Sequence, residues 1–509
     1  MSEKQKNARA GQAQTPKKTD KPKRPKTPGR YSANRPQIIV TSCFFGLLFA
    51  GMIGYLAYFA ATSQEEMINN SYNSRQEILL SRNYRGTIYS GDGEILALTQ
   101  VDREQNESRV YPYGKLFAHA VGYATKGRTG VESLANYYLI NTNTSLANKA
   151  ANDTAGVKNP GDNVYTTLDV NLQQVADSQL NIYKGAVVVT EVSTGKILAM
   201  VSHPNFDPNE IDQIWDSIVE NEDSSVLLNR VTQGQYPPGS TFKIVTALEY
   251  IREHPDSYSD YSYTCSSRFS TGTGEINCYR GTVHGQVDFN SSFAKSCNSS
   301  FANIGTGLDQ AAFEKTLDEL LFNQALPIDF PYSASKANVV DKVSVNELMQ
   351  TSIGQGKTQI SPIHLNMITS AIAYGGVLMK PYVVDHVEND AGRIVKAYRP
   401  ETYGSLMTRE EADILKDLME NVVEEGTGRK LSGLSYTAAG KTGSAEYNDV
   451  KEDSHAWFTG FAPVEEPEIC VTVIVEGAGS GGDYAVPIAR RIFDAYFGDK
   501  AKTPGSAKK

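Results

Sequence analysis

One uncharged segment near the N-terminus constrains this chain more than any other feature. Ile38 to Ala61 holds 24 residues without a charged side chain. As an α-helix it would extend roughly 36 Å, enough to cross a hydrocarbon core of ~30 Å with some tilt. Tyr55 and Tyr58 stand toward its far end, where amphipathic rings suit the membrane interface. The segment predicts a transmembrane helix over 38–61, with a cleaved signal peptide as the alternative.

The charge distribution predicts the orientation of this helix. Residues 1–37 carry eleven basic and two acidic side chains, and the whole chain has a net charge of −9. The positive-inside rule places this basic tail in the cytoplasm and residues from Thr62 onward outside the membrane. The tail is rich in Lys, Pro, Thr and Gln, which predicts disorder and attraction to anionic lipids rather than binding to nucleic acid.

The outer part has ordinary globular composition, since the chain is 40% hydrophobic. A polar helix is expected over 65–80, followed by two short strands around Gly91-Asp92-Gly93. We expect a small pedestal over 62–160, an α/β domain over 161–498 and a disordered tail over 499–509. The elements predicted for the larger domain are helices at 172–180 and 485–497 and strands at 186–192, 196–202, 455–463 and 468–476.

The serine in TyrProProGlySerThrPheLys (236–243) is the strongest candidate nucleophile. Ser240 follows a Pro-Pro-Gly turn and opens a run that is apolar almost all round, which is typical of a buried helix. Lys243 comes one turn later and projects from the same face, so its amine could act as the base for the serine hydroxyl. The pattern also occurs at 193–196, 292–295, 333–336 and 506–509, so by itself it is weak evidence.

Two later motifs strengthen this prediction. Ser296-Cys297-Asn298 lies in a Ser/Asn-rich stretch, and Lys441-Thr442-Gly443-Ser444 follows an apparent strand over 435–439. Ser-x-x-Lys, Ser-x-Asn and Lys-Thr-Gly in this order are the signature of the penicillin-recognising serine acyltransferases. The wider context resembles the transpeptidase domain of a class B penicillin-binding protein, in the stretches GlyGlnGly (354–356), AlaTyrGlyGly (373–376), GluGlyThrGly (425–428), LysThrGlySerAla (441–445) and HisAlaTrpPheThrGlyPheAlaPro (455–463).

The resemblance implies a role for each motif residue. Ser240 would be acylated and Lys243 would take its proton, while Ser296 would pass a proton toward the leaving amine. Asn298 would bind the substrate amide, and Lys441 would supply positive potential and fix Ser296. The backbone N–H groups of Ser240 and Ser444 would form the oxyanion hole. Thr442 would hold the terminal carboxylate, and the strand at 441–446, which includes Gly443, would pair with the substrate.

The implied function is crosslinking of peptidoglycan stem peptides through their D-Ala-D-Ala ends, with β-lactams as acylating inhibitors. The fold implied is α/β, with an antiparallel sheet flanked by helices. A separate membrane glycosyltransferase of the SEDS (RodA/FtsW) type would be the partner, and no cofactor is expected. A D,D-carboxypeptidase, a β-lactamase, a β-lactam sensor and a catalytically silent wall scaffold remain alternatives.

The cysteines and histidines leave smaller questions open. No Cys/His group in the sequence has the spacing typical of a zinc site, so no metal is expected. Cys265 and Cys278 flank a Gly/Thr/Ser loop and could form a disulfide or remain free thiols. His284, His364 and His455 are interpreted as structural, because the serine already has its lysine, and His455 is expected beside the cleft.

Overall fold

The computed structural model describes residues 35–62, 75–221, 223–272, 274–340, 343–446 and 454–500. The chain divides into two units, residues 1–64 and 65–509. In the first unit, a helix over Arg35–Thr62 is long and apolar enough to cross a membrane. Arg35, Pro36 and Gln37 belong to it, so the helix begins three residues before the predicted span of 38–61, and proline suits a first helical turn. Residues 1–34 and 501–509 of the predicted tails lie outside the described residues.

The elements of the described residues are as follows. The α-helices are α1 (Arg35–Thr62), α2 (Arg75–Arg82), α3 (Gly130–Leu134), α4 (Asn136–Ile140), α5 (Leu146–Ala155), α6 (Val170–Leu180), α7 (Ile211–Val219), α8 (Lys243–Glu253), α9 (Phe289–Ala294), α10 (Asn298–Gly307), α11 (Gln310–Glu319), α12 (Val345–Ser352), α13 (Pro362–Ala373), α14 (Arg409–Glu424) and α15 (Ala485–Lys500). The strands are β1 (Asn83–Tyr84), β2 (Ile88–Tyr89), β3 (Ile95–Val101), β4 (Glu107–Val110), β5 (Asn159–Pro160), β6 (Asn163–Thr166), β7 (Gly185–Glu191), β8 (Ile197–His203), β9 (Ser262–Cys265), β10 (Arg268–Ser270), β11 (Glu275–Asn277), β12 (Gly285–Asp288), β13 (Val377–Met379), β14 (Val384–Glu388), β15 (Ile394–Ala397), β16 (Thr402–Ser405), β17 (Ala439–Glu446), β18 (Ser454–Ala462) and β19 (Ile469–Val475).

The larger sheet has the order β17-β18-β19-β7-β8, with every neighbouring pair antiparallel. Its middle strands are buried along their whole length apart from Glu191 at the end of β7. They are rich in Val, Ile and aromatic residues, because both faces of this sheet are covered. The strand that bears the Lys-Thr-Gly motif, β17, lies at one edge.

Helices cover the two faces of this sheet. Ala186 and Val188 of β7 belong to a core shared with α13, whereas Val187 and Val189 belong to a core shared with α6 and α15. This alternation follows from the two-residue period of a strand. The predicted antiparallel sheet flanked by helices is therefore confirmed.

A second sheet joins distant parts of the chain, in the order β15-β14-β6-β2-β3-β4. Strands β2, β3 and β4 come from the predicted pedestal. Strand β14, more than two hundred residues later, pairs with β6 from Val384↔Thr166 to Glu388↔Asn163. Residues on both sides of position 160 therefore share one sheet, and residues 65–509 form one compact unit.

The predicted elements match these bounds within a few residues, with two corrections. The strand predicted over 435–439 begins only at Ala439 and runs through the motif itself. Its ladder starts at the pair Ala439↔Phe461, close to Pro463, which has no N–H group to extend it. Helix α15, predicted to end at Phe497, continues to Lys500. The helix predicted from Glu65 begins at Arg75 among the described residues, and positions 65–74 lie outside them.

A buried ion-pair cluster holds the first part of this unit together. Glu132 is fully buried and accepts hydrogen bonds from Arg85 Nε at 2.6 Å and Arg109 Nε at 2.7 Å. The Tyr111 hydroxyl donates to the same carboxylate at 3.1 Å. The two guanidinium groups hold the pKa of Glu132 below its usual value although burial alone would raise it. A buried charge that loses its partner is costly, so the cluster fixes β4, α3 and the segment just before β2 relative to one another.

We predict that Glu132→Ala lowers the free energy of unfolding by about 3–5 kcal/mol, because it leaves two buried guanidinium groups without their shared carboxylate. Urea denaturation of the purified full-length chain in detergent measures the change. Lys315→Ala is the control, since its ion pair with Glu319 is on the surface and contributes at most ~1 kcal/mol. Equal midpoints for the two variants would contradict the prediction.

Candidate active site

A glycine-dependent turn presents Ser240. Gly239 has a φ of +55°, and a 3-10 turn over Gly239–Phe242 leads directly into α8. The Gly239 amide donates to Gly354 O at 2.8 Å. Gly354 itself has a φ of +73°, and a Cβ there would lie 2.1 Å from Gly239 O. Only glycine allows these two backbone segments to approach so closely, and their contact fixes the start of the Ser240 turn.

Lys243, the first residue of α8, lies beneath Ser240 and is fully buried. Its Nζ donates to Ser240 Oγ at 3.1 Å, to Ser296 Oγ at 3.2 Å and to Ser296 O at 2.7 Å. It also donates to Asn298 Oδ1 at 2.7 Å. One amine therefore contacts the predicted nucleophile and both polar residues of the second motif.

The Ser-Cys-Asn motif connects two short helices, α9 and α10. Ser296 has a φ of +56°, a conformation uncommon for a residue with a side chain. Asn298 is the first residue of α10, and the Cys297 side chain accepts a hydrogen bond from the Ser300 amide at the N-terminus of this helix. The turn places Ser296 Oγ within hydrogen-bond distance of both Lys243 and Lys441.

The edge strand β17 supplies the third motif. Lys441 is fully buried, and its Nζ donates to Ser296 Oγ at 3.0 Å and to Thr442 O at 3.3 Å. The hydroxyls of Thr442 and Thr427 share a hydrogen bond of 2.5 Å. A Cβ on Gly443 would lie 2.9 Å from Pro238 O, so glycine lets the strand pack against the Ser240 turn.

Burial sets the electrostatics of the two lysines. Desolvation lowers the pKa of Lys243 to about 8, so near neutral pH an appreciable fraction of its amine is uncharged. Desolvation, and then repulsion by Lys243, lower the pKa of Lys441 well below its usual value. Ser296 Oγ therefore lies between two amines, and burial disfavours the state in which both carry a proton and a positive charge.

The site opens into a cleft of about 1340 Å³. The predicted site residues that line it are Ser240, Ser296, Asn298, Thr442, Gly443 and Ser444. The structure therefore brings all eight predicted residues together, with the two lysines beneath the cleft floor. His455 lines the cleft as predicted, whereas His364 is buried and its Nε2 lies 2.7 Å from Leu320 O.

Several residues of the cleft are absent from the set of sequence-predicted site residues. Thr427 contacts Thr442, although its stretch GluGlyThrGly contributes only to the family resemblance. The Gln355 amide, oriented with nitrogen toward Glu446 O and oxygen toward Glu446 N, lies 3.1 Å from each and so continues the edge of β17. Arg280 and Arg429 also line the cleft. They come from separate loops, and no sequence pattern joins them.

A serine hydroxyl on a buried lysine amine, beside an edge strand and an open cleft, defines a serine acyltransferase site. Residues 185–494 match the penicillin binding protein transpeptidase domain, and residues 85–164 match the penicillin binding protein A dimerisation domain. The chain belongs to the penicillin-binding protein family, as a class B member, which confirms the resemblance. Its membership and the apolar helix α1 together support a membrane-anchored protein.

Two peptidoglycan D,D-transpeptidases are similar in sequence to most of this chain. Peptidoglycan D,D-transpeptidase PbpA of Mycolicibacterium smegmatis is 30% identical over 451 residues, covering 82% of this chain and 91% of the relative. Peptidoglycan D,D-transpeptidase MrdA of Acinetobacter baumannii is 29% identical over 461 residues, covering 79% and 68%.

Solved structures are also similar. A D,D-transpeptidase domain from Eggerthella lenta aligns with a TM-score of 0.75 at 27% identity, covering 83% of this chain and all of that one. Penicillin-binding protein A of M. tuberculosis, solved as a ceftriaxone acyl-enzyme complex, aligns with a TM-score of 0.74 at 27% identity, covering 82% and 99%.

We predict that Gly354→Ala slows acylation by a fluorescent penicillin by ~100-fold, because the added Cβ displaces the Ser240 turn and misplacements of about 1 Å cost that much. The second-order labelling rate of the purified chain measures this. Gly433→Ala is the matched control, since Gly433 has a φ of +70° but a Cβ added there would meet no atom within 4 Å. Unchanged labelling of Gly354→Ala would show that the contact does not position Ser240.

Proposed function

We propose that this protein crosslinks peptidoglycan stem peptides as a D,D-transpeptidase, with Ser240 as the acylated residue. The observation that carries the proposal is the 3.1 Å contact between Ser240 Oγ and the buried amine of Lys243, whose pKa is lowered to about 8. An uncharged amine at that distance can accept the hydroxyl proton as the oxygen attacks a carbonyl carbon.

Acylation follows from the placement of the other groups. Ser240 Oγ attacks the penultimate D-alanine carbonyl, its proton passes to Lys243, and the carbonyl oxygen becomes an oxyanion. Ser240 and Ser444 line the same cleft, and their backbone N–H groups would stabilise the oxyanion, each contributing about 3 kcal/mol. Ser296 then relays a proton to the departing D-alanine nitrogen. An amine from a neighbouring stem peptide reverses these steps and forms the crosslink.

Thr442 is proposed to hold the terminal carboxylate, with Asn298 bound to the peptide amide. Lys441, buried beneath the cleft floor, would supply positive potential and fix Ser296. Burial opposes a charge on Lys441 in the free protein. An incoming carboxylate would favour the protonated amine, so substrate binding itself would supply the positive potential. Strand β17 lies at a sheet edge, and an extended stem peptide could add to it as a further strand.

The remaining proposals concern the setting of the enzyme. Helix α1 would cross the membrane with residues 1–37 in the cytoplasm, and the catalytic cleft would face the wall outside. Residues 62–160 would form a pedestal below a catalytic domain over 161–498, with a SEDS-type glycosyltransferase as membrane partner. The basic tail and the apolar composition of the helix support this orientation.

We predict that the purified chain forms one stable penicilloyl adduct and that Ser240→Ala abolishes it. Gel fluorescence and intact mass measure the adduct. Ser193→Ala is the matched control, because Ser193 and Lys196 repeat the Ser-x-x-Lys spacing in a hairpin turn and its labelling should be unchanged. Rapid penicillin hydrolysis without an adduct would indicate a β-lactamase. A stable adduct accompanied by stem-peptide trimming without crosslinks would indicate a carboxypeptidase.

We also predict that the second-order acylation rate rises about tenfold per pH unit between pH 6 and 7.5 and levels off above about 8. The pKa of Lys243 is lowered to about 8, so its ammonium form, which cannot accept a proton, dominates below that pH. Stopped-flow labelling across pH 6–10 measures the profile. A flat rate between pH 6 and 8 would contradict Lys243 as the base.

A further inference from the structure

Four side chains outside the catalytic set converge behind the Ser-Cys-Asn motif. They come from the end of β9, the position just after β11, the position just before β12 and the turn before α10, and they are Cys265, Cys278, His284 and Cys297. One donor atom from each lies within 4.8 Å of all the others. The three sulfurs are buried, with 2% exposure or less, and His284 is partly buried.

Three of the six separations among these atoms match tetrahedral coordination. Cys278 Sγ lies 3.7 Å from both Cys265 Sγ and Cys297 Sγ, and Cys265 Sγ lies 3.4 Å from His284 Nδ1. A tetrahedral zinc ion with bonds of ~2.3 Å to sulfur and ~2.0 Å to nitrogen separates two sulfurs by about 3.8 Å and a sulfur from a nitrogen by about 3.5 Å. A disulfide requires sulfurs ~2.05 Å apart, and the cysteines here are unbonded.

We propose that Cys265, Cys278, Cys297 and His284 form a structural zinc site. Zinc binding displaces the three thiol protons, so Zn²⁺ with three thiolates and a neutral imidazole carries a net charge of −1. All four ligands come from the protein, which is typical of a closed structural site rather than a catalytic one. Thiolates select zinc over the hard cations Mg²⁺ and Ca²⁺.

Neighbouring groups are placed to stabilise thiolates. The Ser300 amide donates to Cys297 Sγ at 3.4 Å, and the Ser299 amide donates to Cys278 Sγ at 3.5 Å. Ser299 Oγ lies 3.1 Å from Cys278 Sγ. Such outer contacts orient ligands and favour their charged form, and here they come from the first turn of α10.

The proposed zinc site connects directly to the catalytic motif. Cys297 is the residue between Ser296 and Asn298. Cys278 follows Asn277, whose carbonyl accepts a hydrogen bond from Asn298 Nδ2 at 3.1 Å. Zinc would therefore tie together the two segments that hold Asn298 and would support Ser296 at its φ of +56°. The ion would position Ser296 and Asn298. This role depends on the proposed function, but the existence of the metal site does not.

The sequence-based expectation of no metal site rests on spacing alone. Cys265 and Cys278 are 13 positions apart, and Cys278 and Cys297 are 19 apart. Zinc sites readable from sequence place two ligands within a few residues of each other. Here the pairing of β9 with β12, from Cys265↔Gly285 to Ser262↔Asp288, brings the ligands together, and a local pattern does not contain that information.

Metal content tests the site. The full-length chain is purified in detergent, equilibrated with ZnCl₂ and freed of unbound metal. Inductively coupled plasma mass spectrometry should then find one zinc per chain. Cys278→Ser should retain none, and Cys470→Ser, which removes a buried cysteine of the sheet, should retain one. His284→Ala removes one of the four ligands and should lower zinc affinity at least ~10-fold. Loss of even a residue that only hydrogen-bonds to a ligand typically lowers metal affinity by that much.

A variant could lose zinc because it misfolds, so the unaltered protein is also tested, by its cobalt absorption spectrum and by mass spectrometry of its peptides. Unaltered protein loaded with Co²⁺ should show thiolate-to-cobalt charge transfer and the intense visible bands of a tetrahedral ion. Absence of bound zinc in the unaltered chain, or a Cys265–Cys278 disulfide in its peptide map, would overturn the proposal.

Positioning is tested by stripping zinc with a chelator and measuring penicillin acylation at Ser240. The rate should fall at least ~10-fold and recover when Zn²⁺ is returned, because displaced catalytic groups lose rate steeply. Zinc loss without a change in rate would overturn the positioning role. A zinc-loaded chain that never forms a penicillin adduct would instead count against the proposed function and leave the metal site intact.

Discussion

The fully buried amine of Lys243 is the constraint on which the site depends. A lysine without solvent must find hydrogen-bond partners inside the protein, and this one finds them on two serines and an asparagine. Burial also lowers its pKa to about 8. The same desolvation that lowers the pKa of Lys243 also requires the hydrogen bonds that join α8 to the Ser-Cys-Asn turn, so the pKa and the local structure share one cause.

Close backbone contacts place the third motif against this lysine. Gly443 allows β17 to pack against the Ser240 turn. Gly354 allows a neighbouring turn to come close enough for its carbonyl oxygen to accept a hydrogen bond from the Gly239 amide. Both contacts would be filled by a single methyl group. The cleft is thus assembled from segments far apart in sequence, each held at a distance that only glycine permits.

The motif residues of the cleft could be predicted from the sequence, whereas the residues that surround them could not. The three motifs and the buried helix after Ser240 carry local patterns, so the eight residues that the structure brings together at the cleft, and the main strands, could be predicted. Thr427, Gln355 and the Cys/His cluster could not, because they meet through pairing of strands and loops distant in the chain. Likewise, the sharing of one sheet by β6 and β14 has no local signal, so the predicted boundary at 160 rests on composition alone.

The order of the larger sheet has a consequence for biosynthesis. The β7–β8 ribbon belongs to the middle of the chain, but its partner β19 is near the C-terminus, with Ile469 paired to Glu191. A chain that emerges N-terminus first exposes the open edge of β7, rich in valine, until almost all of it has been made. Closure of this core is therefore one of the last folding events, and until then the unpaired edge of the ribbon is open to aggregation.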